Sequence, residues 1–154
     1  MKIFTFFLTS LLPLLPAVKP RETQKLISQP SAQLLMESTW HLTNWQTITG
    51  ADTLDRQALL RPCQRDDQFN FASTGVLVRT EGSSACPGSL PRATVNMRSW
   101  SLDATGTKLT LGVGGVGTVK ATYDIVLLST DALQLRYTRV AQGVAVTELL
   151  SYLN

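Results

Sequence analysis

The chain reads as an all-β protein: an antiparallel up-and-down barrel of about eight strands, preceded by a short N-terminal helical turn. Between Trp40 and Leu153 about eight short stretches alternate apolar and polar residues, the period of a half-buried strand. Turn formers separate them, and no crossover helix intervenes, so neighbouring strands are expected to run antiparallel. An open row of that many strands leaves two edges that invite pairing with other chains. Closing the row removes both, and a ring of about eight strands has room for side chains or one small ligand. A two-sheet sandwich answers the same problem.

The elements follow in order. Met1 and Lys2 precede an uncharged apolar run through Leu15, the form of a secretory signal peptide, so residues 1–17 are expected to be a cleaved leader. The run is shorter than the ~20 residues of a membrane-crossing helix, and Pro13 and Pro16 interrupt its end, so no permanent membrane anchor is expected. Residues 18–33 carry Lys19, Pro20, Arg21, Lys25 and Pro30 without a periodic apolar face and read as a flexible linker. Residues 34–154 then make one domain. Residues 31–36 suit a single helical turn with Ser31 as its cap.

The first strand spans residues 39–48, with Trp40, Leu42 and Asn44 on one face and His41, Thr43, Trp45 and Thr47 on the other; residues 50–52 form its turn. Phe69 and Phe71 share a face of the next strand, residues 73–75 turn, and residues 76–81 return. Residues 94–103 place Arg98, Trp100 and Leu102 on one face; after a turn at residues 104–106, Leu109 and Leu111 alternate. Residues 118–128 set Tyr123, Ile125 and Leu127 together, and after Ser129-Thr130-Asp131 the residues Leu133, Leu135 and Tyr137 alternate with Gln134, Arg136 and Thr138. The last strand covers residues 144–153.

Charged residues make up 16% of the chain, and a pI near 9.1 invites a nucleic-acid reading. The basic residues are scattered and do not cluster with aromatic ones, so no phosphate-tracking stripe exists and nucleic acid is rejected as a partner.

Several of these residues carry a resemblance. Ser38-Thr39-Trp40, Pro62-Cys63 followed by Asp66-Asp67 and an aromatic strand, Cys86, Trp100-x-Leu102 and Leu109-x-Leu111 together resemble the small exported bacterial lipocalin-like domains, from about Leu34 onward. That resemblance implies a meandering barrel around an apolar cavity and no enzyme activity. The glycine usual two residues before the first-strand tryptophan is Ser38 here, and no C-terminal helix follows the last strand.

Cys63 and Cys86 are the only cysteines, an even count behind an export-type leader, and are expected to form a disulfide; one histidine and no Cys-x-x-Cys leave a metal pair without support. Asp66 and Asp67 are adjacent, so on a strand they face opposite sides, and they read as a solvated turn. Gly112-Val113-Gly114-Gly115-Val116-Gly117 leads into a β-like segment instead of a helix and lacks the Gly-Lys-Ser/Thr of a phosphate loop, so it reads as a hairpin loop at a barrel mouth, mobile enough to gate a pocket. His41 reads as a polar residue on the outer face of the first strand, with no nucleophile elbow to serve. No catalytic residue, metal ligand or cofactor is expected.

Trp40, Trp45, Phe69, Phe71, Trp100, Tyr123 and Tyr137 are either barrel core or the lining of a cavity, since ligand pockets are mostly apolar with a few polar groups. The ligand-binding set expected is Trp40, Phe69, Phe71, Trp100, Tyr123 and Tyr137 with Arg98, whose guanidinium either orients an acidic headgroup or stacks on a ring. The expectation is an exported, monomeric, non-enzymatic protein of the periplasm or exterior that binds a small apolar or amphiphilic molecule. Its rival is an envelope interaction module, a filled barrel that binds a protein or glycan through its loops. A hydrolase has the fewest residues behind it.

Overall fold

The computed structural model describes residues 31–89, 94–113 and 120–154. The leader, most of the linker and residues 114–117 of the glycine-rich segment lie outside the described residues. Helix α1 (Ser31–Glu37) leads into β1 (Trp40–Thr49) and β2 (Asp52–Asp55). Two 3-10 turns (Gln57–Leu59 and Pro62–Gln64) follow, then β3 (Gln68–Phe71), β4 (Val76–Thr80), β5 (Thr94–Leu102), β6 (Lys108–Val113), β7 (Lys120–Leu128), β8 (Ala132–Ala141) and β9 (Val144–Leu153).

The ring closes. From β3 to β9 each strand pairs antiparallel with the next, and β1 joins β3 on one side and β9 on the other, giving a closed eight-strand barrel. The β1–β9 seam runs from His41 opposite Leu153 to Thr49 opposite Val146. The sandwich alternative is thereby excluded. β1 divides its other edge: Trp40 and His41 pair with β3, whereas Gln46 to Thr49 pair with β2. The reading of residues 50–52 as the whole turn is corrected, because Asp52 already belongs to β2. All four β2 residues are exposed, so no apolar alternation announced this ninth strand.

α1 closes one end. Leu35 and Trp40 are fully buried there, and the Trp40 indole N–H donates to the Leu35 carbonyl at 3.0 Å. Ser31 is the first helical residue, one place later than a cap would stand. At the same end, Gly106 takes φ +69, and a Cβ on it would meet Ser31 Oγ at 2.7 Å, so both backbone and helix require glycine there. The core continues through Phe71, Leu77, Leu109, Leu111, Tyr123, Leu133 and Leu135. Each such large apolar side chain, fully buried, contributes roughly 1.5–3 kcal/mol.

Alternation holds along β3, β6 and β8 and breaks where strands bulge. Register slips in β1 between Leu42 and Asn44 and in β7 between Ile125 and Leu127. An extra residue in a strand reverses which face the following side chains occupy. Leu127, expected beside Tyr123 and Ile125, is therefore 43% exposed. Trp45, expected opposite Trp40 and Leu42, shares the interior with Leu42. Asn44 instead borders a groove on the outer wall.

Cys63 and Cys86 form a disulfide with Cα atoms 5.2 Å apart. It ties the second 3-10 turn to the segment after β4, a closure over 23 residues that stabilises by about 3 kcal/mol if loop entropy dominates.

Candidate functional site

The barrel interior holds a cavity of about 200 Å³. Leu42 and Trp45 reach it from either side of the β1 bulge, and Leu150 and Tyr152 from alternate positions of β9. Phe69 lines it from β3 and sets its ring edge-on to Tyr152, with centroids 5.9 Å apart. Tyr123 closes the β7 side and packs against Tyr137 at 5.4 Å.

Two charged residues share this apolar space: Arg98 from β5 and Glu148 from β9. Among the described residues neither belongs to any of the four ion pairs, so they do not pair with each other. The Trp45 indole nitrogen is buried and lacks a hydrogen-bond partner. Burial holds the Tyr123 hydroxyl above the ordinary phenol value; Glu148 pushes the same way and Arg98 opposes. Burial likewise raises Tyr152, with Tyr123 adding and Arg98 opposing. Both phenols stay neutral near pH 7 and offer a donor and an acceptor each.

Of the expected ligand-binding residues, Phe69, Arg98 and Tyr123 meet at the cavity. Trp40, Phe71, Trp100 and Tyr137 serve the core. Phe71 and Trp100 stack edge to face at 5.4 Å, and the Trp100 indole donates to the Ala72 carbonyl at 2.9 Å. Glu148, Leu150 and Tyr152 were not singled out from the sequence; their signal was period two in the last strand. Trp45, a candidate for core or cavity lining that strict alternation sets on the face opposite Trp40, reaches the cavity through the β1 bulge. Arg136 stands outside as expected, 51% exposed and 3.4 Å from Asp124.

The reading of Asp66-Asp67 as a solvated turn is corrected. Asp66 accepts from the Ser83 hydroxyl and the Ser84 amide at 2.9 Å each, and the amide above all holds its carboxyl below the ordinary value. Asp67 turns the other way and is 3% exposed. It shares Arg79 with the equally buried Glu81, at 3.4 and 3.1 Å. Glu81 also accepts from the Cys86 amide at 3.3 Å. Burial raises the Asp67 carboxyl; Arg79 counters it and Glu81 adds to it. This cluster braces the disulfide loop. Among the described residues no three His, Cys, Asp or Glu side chains are placed to hold a metal ion.

Comparison of the chain with protein-family models, curated proteins and solved structures finds no match. The site's chemistry must therefore be argued from its own residues.

Proposed function

We propose that this chain is an exported, non-enzymatic, lipocalin-like protein that binds a small apolar or amphiphilic molecule inside its barrel. The observation that carries the reading is the interior cavity of about 200 Å³, walled by aromatic and aliphatic side chains and holding a few polar groups. Pockets for drug-sized ligands span about 300–1,000 Å³, so the guest is smaller than a haem or a long acyl chain. The disulfide is compatible with an oxidising compartment.

Native mass spectrometry of protein purified from its own host is expected to find a co-purifying small molecule, released on unfolding. Apo protein is expected to take up an environment-sensitive apolar dye. A chain that never carries a guest and leaves such dyes unbound would overturn the reading. The rival interaction module draws support from the outside: Val140 is 74% exposed beside the β8–β9 turn, and a groove of about 280 Å³ crosses the outer wall near Asn44, Val126 and Arg136. Under that rival, substitutions at Val140 abolish capture of a partner and substitutions at Trp45 do not.

A further inference from the structure

Arg98 and Glu148 line one small cavity, carry opposite charges and do not pair with each other. A partly desolvated charge needs a counter-charge or hydrogen bonds. An acidic guest would satisfy Arg98 and be repelled by Glu148; a basic guest would meet the converse. A guest with both charges satisfies both. The same cavity is walled by the rings of Trp45, Phe69, Tyr123 and Tyr152. Aromatic faces beside a carboxylate favour alkylated ammonium, whose methyl groups need no hydrogen bonds while its charge draws on the ring quadrupoles. A guanidinium takes a carboxylate in a forked, charge-assisted contact.

Size narrows the class further. An apolar cavity of about 150 Å³ holds benzene, so one of this volume takes roughly eight non-hydrogen atoms. We propose that the cavity binds a small zwitterion, its anionic group on Arg98 and its alkylated ammonium among the rings beside Glu148. This deepens the cavity reading and rests on it.

The test is calorimetric titration of the full chain with four probes of one shape. Trimethylglycine carries both charges, choline lacks the carboxylate, 3,3-dimethylbutanoate lacks the positive charge, and 3,3-dimethylbutan-1-ol lacks both. Trimethylglycine is expected to bind at least about ten-fold tighter than any other, the effect of one desolvated cation–ring or charge-assisted contact. Glu148→Gln is expected to shrink its advantage over 3,3-dimethylbutanoate to what the rings alone supply, and Arg98→Gln to erase its advantage over choline. Arg98→Met, which removes the charge and keeps the aliphatic length, stands in should the glutamine variant lose its native circular dichroism. If the alcohol binds as tightly as trimethylglycine, or the butanoate more tightly, the zwitterion is overturned while the ligand-binding cavity survives. If none of the four binds and no apolar dye does either, both readings fall together.

Discussion

At the scale of single residues, Trp40 and Asp67 show how far side-chain chemistry could be read in advance. Trp40 was legible as interior because a large ring opens an alternating strand. Its hydrogen bond to the Leu35 carbonyl was not, since that depends on where α1 docks. Trp40→Ala would leave both a cavity and an orphaned carbonyl. The expected loss is about 3–5 kcal/mol, read as a lower urea midpoint at unchanged slope. Asp67 was illegible because an aspartate beside another aspartate looks solvated until Arg79 of β4 and Glu81 just beyond that strand arrive. Its carboxyl is raised above the ordinary 3.8, so the folded state holds the proton more tightly than the unfolded state does. That contribution is fully present below the unfolded value and is lost as pH rises through the folded one. Asp103 has the opposite sign: its carboxyl, held to about 2 mainly by the Thr105 hydroxyl, stabilises above the ordinary 3.8 and loses this as pH falls toward 2. Melting temperatures across pH are therefore expected to separate two variants. Asp67→Asn gains on the native chain as pH climbs from about 4, whereas the deficit of Asp103→Ala vanishes in strong acid.

At the scale of elements, what the sequence revealed was period two, and what it hid was every place where the period breaks. Leu133, Leu135 and Tyr137 alternate through an unbulged stretch of β8, and their inward face followed directly from their spacing. Trp45 and Leu127 lie just past bulges, and a one-residue slip moves a side chain through the wall. Deleting Thr43 is expected to remove the bulge and leave Trp45 inside, because Leu42 and Asn44 already pair with the adjacent Tyr152 and Ser151. The Trp45 fluorescence should keep its maximum, and a red shift would show that the extra residue is not what sets its face. The disulfide is the element-scale feature the sequence disclosed best, because an even pair of cysteines has few alternatives. Replacing both with serine is expected to cost about 3 kcal/mol in denaturant titration while leaving the far-ultraviolet spectrum intact.

At the scale of the whole molecule, eight alternating runs and the hazard of open edges pointed to a ring before any pairing was known. What they did not contain was the divided edge of β1, because the exposed Asp52–Asp55 strand has no apolar face to mark it. Closure joins the first strand of the domain to the last, a contact between distant parts of the chain. Removing β9 is therefore expected to leave two raw edges and an aggregating product, visible as a shift of the native peak to the void volume in size-exclusion chromatography.

The plugged end also gathers the boundaries of the domain. The Thr39 amide donates to the Asn154 side chain at 3.2 Å, and the Asn154 amide donates to the Asp131 carbonyl at 3.1 Å. Anything fused directly before α1 or after β9 thus departs from the same pole, the plugged end of the ring. The same adjacency permits the two ends of the described domain to be spliced by a short linker and new ones opened at Gln142-Gly143, where the backbone already takes positive φ in a two-residue turn. Such a permuted chain would keep every strand of the ring while changing which strand a ribosome makes last.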